Sequence, residues 1–254
     1  MTIRLHNIFF LVLLFEAITF QMLAQNANVH LNDRRPTREF IIDIVPHTSG
    51  LALGVNYGFI KKNGLTHAVH LELTSLKHPK EIRQRSGIGN SFGNATRNYI
   101  YGKRNQFYGI HAGYSGKIYF SKKAENQGVA IGLSYAAGPS LGMIKPYYLN
   151  LNINGEITPQ AYTEEYRAQF LNVSDISGAA GFKYGFNELD FALGGFARLG
   201  LNFDWGKSGH RWVKAIDAGI MLDVYTKVIP IMLTEDNQAI FPTLYAAFQI
   251  GKRT

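Results

Sequence analysis

From residue 40 to the C-terminal segment, apolar side chains recur at alternate positions, and the positions between them are small or polar. A period of two belongs to β-strands, because successive side chains of an extended backbone point to opposite faces. In the segment 107–120, Tyr108, Ile110, Ala112, Tyr114, Ile118 and Phe120 share one face, and Gly109, His111, Gly113, Ser115 and Lys117 share the other. The segment from Val129 sets Val129, Ile131, Leu133 and Tyr135 against Ala130, Gly132, Ser134 and Ala136. In 189–205, Phe191, Leu193, Ala197, Leu199 and Leu201 oppose Asp190, Gly194, Arg198 and Asn202; in 212–227, Ile216, Ile220 and Leu222 oppose Asp217, Gly219 and Asp223. Further candidates are 40–45, 51–59, 66–76, 177–186 and 243–251. Short polar connections such as Lys62-Asn63-Gly64 and Phe186-Asn187-Glu188 read as hairpin turns, so the pattern predicts an antiparallel meander.

A long meander must close or cover its edges. A secreted lipocalin-like barrel turns its large apolar residues inward, whereas a membrane barrel turns them outward to lipid and keeps a small or polar interior. Ala130, Gly132, Ser134, Gly194, Gly200 and Gly219 are poor solvent-facing residues for a soluble barrel and suit a narrow lumen. The expected fold is therefore all-β: an antiparallel up-and-down transmembrane β-barrel of about eight to ten strands. Counting 97–102 as a further strand leads to ten, and treating 40–45 as a lead-in or plug leads to eight. Tyr57, Phe59, Tyr119, Phe120, Tyr147, Tyr148, Phe203, Trp205, Trp212 and Tyr225 fall near strand ends, where interfacial aromatic girdles are expected.

Composition removes whole classes. With 46% apolar and 17% charged residues over 254 positions, the chain can bury a core but is too polar for a bundle of membrane helices. The absence of Cys excludes disulfide frameworks, thiol catalysis, cysteine metal sites and a lipidated cysteine anchor. The net charge of +8 invites a nucleic-acid partner, but the aromatic and glycine content speaks for strands and turns, and no nucleic-acid partner is expected. Residues 1–25 carry an early charge at Arg4, an apolar run over 8–15 and the ending Leu23-Ala24-Gln25, the layout of a secretory signal peptide. Residues 26–38 are a polar lead-in, and 39–254 form a single barrel domain with long loops at 77–104 and 147–174.

Arg198, Asp217, Asp223, Lys183, Glu72, His70 and His111 all fall on the small or polar side of their segments. Inside a small barrel such charges need partners, and an interior network is expected in which Arg198 pairs with Asp217 or Asp223. The 77–104 loop is basic, and Arg83, Arg85, Arg97, Lys103 and Arg104 are candidates for contact with anionic surface groups, either lipid phosphates or an acidic partner. His67 and His70 do not share a strand face, so no metal pair is expected; no cofactor is implied and no catalytic motif is present. The leading expectation is a structural or partner-binding barrel. The alternatives are a narrow pore or small-molecule transporter, a secreted lipocalin-like ligand binder and, lower, a lipid-modifying barrel enzyme.

The leader ending Leu23-Ala24-Gln25, the alternating strands and the final strand with Leu244, Ala246, Phe248 and Ile250 on one face resemble the small outer-membrane β-barrel proteins, particularly Bacteroidota-type ones. The resemblance implies a Gram-negative outer-membrane location among outer-membrane lipids, insertion by the barrel assembly machinery, and a possible protein partner in an envelope or secretion assembly. One departure concerns the last strand: the usual terminal aromatic is absent, and Phe248 is followed by Gln249-Ile250-Gly251-Lys252-Arg253-Thr254.

Overall fold

The computed structural model describes residues 36–61, 65–85, 98–120, 128–153, 155–206 and 211–254. The expected leader, most of the lead-in and Arg97 lie outside them. The strands are β1 (Arg38–His47), β2 (Gly50–Ile60), β3 (Leu65–Leu76), β4 (Arg83–Gln84), β5 (Tyr99–Ile100), β6 (Asn105–Tyr119), β7 (Ala130–Pro146), β8 (Leu149–Ile153), β9 (Glu156–Gln160), β10 (Ile176–Ala179), β11 (Asp190–Asp204), β12 (Trp212–Ile229) and β13 (Gln238–Arg253). Among the described residues, eight of these close into an antiparallel barrel in the order β1-β13-β12-β11-β7-β6-β3-β2. Closure is made by β1 against β13, from Glu39 opposite Arg253 to His47 opposite Tyr245.

The count of eight arises differently from either expectation. The 40–45 segment is part of barrel strand β1, not a lead-in or plug. The 177–186 segment is not a barrel strand: only Ile176–Ala179 is extended, and it pairs with β8 in a separate three-stranded sheet, β10-β8-β9. The 97–102 segment supplies only the two residues of β5, which pair with β4 outside the barrel. With eight strands, the start of β1, the end of β13 (together the chain-end side) and the β2–β3, β6–β7 and β11–β12 connections share one end of the barrel. Both long connections, with the β12–β13 loop, emerge at the other.

The strand phase follows the alternation. Phe40, Ile42, Ile44, Leu53, Leu71, Leu73, Leu199, Leu201, Ile220, Leu244 and Ile250 all point outward and are exposed. Their neighbours Ile41, Asp43, His70, Glu72, Arg198, Asn202, Asp217 and Gln249 are buried inside. Glycine makes room in the lumen where long side chains cross it. A Cβ on Gly200 would overlap the Tyr245 phenol oxygen and come within 2.7 Å of Asp217 Oδ1.

Aromatic residues at the chain-end side of the barrel are exposed outward, including Tyr57, Phe59, Phe120, Trp205 and Trp212. Four expected girdle residues lie elsewhere, among them Tyr148, which stacks on Tyr184 in the cap. Tyr225 is inside the barrel, Tyr147 is in the core of the loop region, and Tyr119 donates a hydrogen bond to Asn202 Oδ1 at 3.2 Å. Proximity to a strand end does not fix which face a ring occupies.

At the loop end the connections form an ordered cap with its own core of Tyr99, Tyr147, Leu149, Leu151, Phe170 and Ile176. Phe170 comes from a single helical turn, Arg167–Leu171, within the 147–174 loop. The β12–β13 loop ties the cap to the barrel: Arg104 and Asn105 donate backbone hydrogen bonds to Ile231 O, and Leu233 donates to Gly102 O.

Candidate functional site

Two layers fill the lumen. Nearest the cap, inward-facing Leu76, Phe107, Ile144, Ala192, Tyr225 and Phe241 pack with Ile231 and Met232 of the β12–β13 loop into one apolar cluster. Phe107 meets Tyr225 edge-on at 4.9 Å between centroids and lies 5.7 Å from Phe241. Apolar packing of this kind leaves no continuous row of polar groups at the loop end.

Below that layer the lumen is polar. Arg198 of β11 reaches across to Glu72 of β3, Nη2 to Oε2 at 2.5 Å, and its guanidinium lies 4.6 Å over the Tyr245 ring. His111 of β6 stands between two carboxylates, Nδ1 at 3.2 Å from Glu72 Oε1 and Nε2 at 2.7 Å from Asp223 Oδ1. Its ring stacks on Phe196 at 4.5 Å and 8°. His70 Nδ1 is 2.8 Å from Asn56 Oδ1, and Asn56 donates to Asp43 Oδ2 at 2.6 Å. Toward the chain-end side, Tyr245 donates to Asp217 Oδ1 at 2.5 Å, Asn202 donates to Asp217 and to Gln249, and Lys117 donates to Gln249 Oε1 at 2.8 Å. Arg253 bridges Glu39 and Asp204 at 3.1 and 3.0 Å.

Six of the seven residues expected in this network line the lumen, but their pairing differs. Register places Met221 opposite Arg198, Asp217 opposite Asn202 and Asp223 opposite Phe196, so Arg198 meets β12 at Met221 Sδ, 3.6 Å from Nη2, and takes its carboxylate from Glu72 across the barrel. Lys183 is a correction. It lies in the cap segment, exposed, with its ammonium 5.5 Å from the Tyr184 ring centre, because the segment that seemed to carry it inward is not a barrel strand. Glu39, Asp43, Asn56, Asn202 and Tyr245 were missed; the same alternation that marks Glu72 places Asp43 between outward Ile42 and Ile44.

The basic loop separates into two kinds of residue. Lys103 is buried, bonded to Glu81 Oε2 at 2.6 Å and 5.9 Å from the Tyr147 ring centre, so it is not free to meet an anionic surface, contrary to expectation. Burial lowers its pKa, against the raising effect of Glu81. Arg104 lies over the Tyr162 ring at 5.2 Å. Arg83 and Arg85 are exposed. Elsewhere in the cap, Tyr148 donates to Glu188 Oε1 at 2.6 Å, which pushes its phenol up to about 12. Among the described residues no group of His, Asp and Glu is arranged to hold a metal ion.

No protein-family model and no curated protein sequence matches the chain. Among solved structures it is similar to Neisserial surface protein A (TM-score 0.38, 10% identity, covering 85% of this chain and 96% of that one). It is also similar to Ail, the attachment invasion locus protein of Yersinia pestis, solved in complex with the heparin analogue sucrose octasulfate (TM-score 0.35, 10% identity, covering 85% and 95%). These scores are low, and the fold rests on the closed strand ladder of the chain itself.

Proposed function

We propose that the chain is an outer-membrane β-barrel of the small Bacteroidota-type group its sequence resembles, with a structural or partner-binding role. The observation that carries the reading is the inversion of polarity: a closed barrel with exposed Leu, Ile, Val and Phe outside and buried Asp, Glu, Arg and His inside. In water the outer face would be a contiguous apolar surface far larger than the few hundred Å² soluble monomers expose, whereas in a bilayer it is the lipid contact. The exposed aromatics at the chain-end side match an interfacial girdle. A filled lumen favours a scaffold over a channel, and the cap is the surface we assign to an envelope protein partner, a component of an envelope or secretion assembly. Insertion by the barrel assembly machinery accompanies this reading. The test is alkaline carbonate extraction of membranes, followed by electrophoresis with and without boiling. Recovery in the pellet with a heat-modifiable band is expected, and recovery in the soluble fraction would overturn the membrane assignment.

A further inference from the structure

At the loop end, where β3 and β6 meet the cap, lies a cleft of about 470 Å³ floored by the buried Leu76 and Phe107 and lined further out by Lys77, Arg83, Tyr108 and Phe182, with Glu81 and Lys103 beside them. Its charges are unequal. Glu81 and Lys103 are bonded to each other and buried, so their charges largely cancel. Lys77 and Arg83 are exposed and have no carboxylate within ion-pair distance among the described residues. One side of the cleft is aromatic. Phe182 from the 147–189 connection meets Tyr108 edge-on at 6.5 Å, meets Phe186 at 5.2 Å, and shares with Phe186 the Lys145 ammonium, 4.8 Å from each ring.

The register shows what lies beneath. Ser75 pairs with Tyr108 at the cleft, and the next outward rungs toward the barrel middle are Leu73 with Ile110, Leu71 with Ala112, and Val69 with Tyr114. An anion-binding head therefore continues, on the same face of the same two strands, into an uninterrupted apolar column. A ligand that uses both parts has a negatively charged group joined to long apolar chains. We propose that this cleft binds the phosphate headgroup of an anionic lipid, with Lys77 and Arg83 as its cationic contacts, Tyr108 and Phe182 as the aromatic rim, and the acyl chains lying over Leu73, Ile110 and Leu71. Arg83 contributes a fork that can meet two phosphate oxygens, and Lys77 a point charge. Free phosphate would use the cations alone, whereas a lipid lying against this wall brings its headgroup to the cations while its chains keep the apolar contact the column makes in a bilayer, which is why a lipid is the assigned source. The proposal rests on the membrane reading above.

The test uses the full folded barrel in a non-ionic detergent, with native mass spectrometry reading the lipid retained after addition of dioleoylphosphatidylglycerol or dioleoylphosphatidylcholine. Preferential retention of phosphatidylglycerol is expected. Replacing both cations (Lys77→Gln with Arg83→Gln) weakens it on the order of tenfold. Phe182→Ala weakens it with no change in charge, and the heat-modifiable band verifies folding for each variant. Lys61→Gln with Lys252→Gln removes the same charge from exposed positions at the opposite end and leaves retention unchanged. Equal loss in that control, or equal retention of the two lipids, overturns the proposal. Displacement of phosphatidylglycerol by inorganic phosphate alone overturns the lipid assignment in favour of free phosphate. Carbonate-soluble protein that needs no detergent would instead show that the membrane reading itself has failed.

Discussion

Arg198 and Glu72 stand 126 positions apart in the chain and form a buried ion pair across the barrel lumen. The pair connects β11 to β3, strands that share no hydrogen-bonded ladder. Glu72 is also shared with His111, so one carboxylate joins an arginine of β11 and a histidine of β6. Removing a single partner leaves buried charge without compensation, which is more damaging than removing the whole pair.

Arg198→Ala should therefore destabilise the barrel by about 3 kcal/mol or more, measured by urea unfolding in detergent. A double-mutant cycle with Glu72→Gln should give a strong coupling energy, larger than that of Arg198→Ala with Asp217→Asn, because Asp217 meets Arg198 through the shared Tyr245 and not directly. Strong coupling to Asp217 with none to Glu72 would contradict the register.

His111 has a carboxylate facing each ring nitrogen as well as the Phe196 stack. His111→Phe keeps an aromatic ring against Phe196 but leaves Glu72 and Asp223 facing an apolar group. It should cost about 3 kcal/mol and lose more stability than Asp223→Asn in the same unfolding assay. A loss close to zero for His111→Phe would mean that the stack, not the carboxylate contacts, carries the residue.

The cap has a core separate from the lumen, so damage to it should stay local. Phe170→Ala empties a fully buried position and should cost the cap about 3 to 5 kcal/mol. Limited proteolysis should then cut within 147–189 while the heat-modifiable barrel band persists. Loss of that band would show that cap and barrel fold as one unit.

Tyr148 gives a pH signature outside the barrel wall. Its hydrogen bond to Glu188 raises the phenol from 10 in the unfolded chain to about 12 in the folded one. Between these values the folded state holds a proton the unfolded state has lost, so the stabilisation is complete below pH 10 and disappears as pH rises through 12. The difference in phenolate absorbance between the native protein and Glu188→Gln should show one tyrosine ionising earlier in the variant. Superimposable titrations would remove the Glu188 contact.

The filled lumen predicts impermeability. Proteoliposomes carrying the barrel should show no swelling in small sugars, because an apolar layer around Phe107, Tyr225 and Met232 lies above a hydrogen-bonded polar layer. Sugar uptake above that of empty liposomes would reopen the pore reading.

The alternation by itself determined the strand faces: Ile110 outward and His111 inward, Leu199 outward and Arg198 inward. That information is local, because a period of two is a property of the extended backbone and needs no knowledge of the partner strand. The tertiary structure alone decided how many segments join the barrel and which lumen charges meet. The 177–186 segment alternates as well as 40–45 does, yet only the latter lies in the closed ladder, since alternation marks an extended chain without naming the edge it pairs with. Closure of β1 on β13 and the register of each ladder set heights around the lumen, and those heights bring Arg198 to Glu72 and place Met221 beside it. Both long connections emerge at one end for the same reason: the parity of the strand count, a non-local quantity, assigns each loop its side.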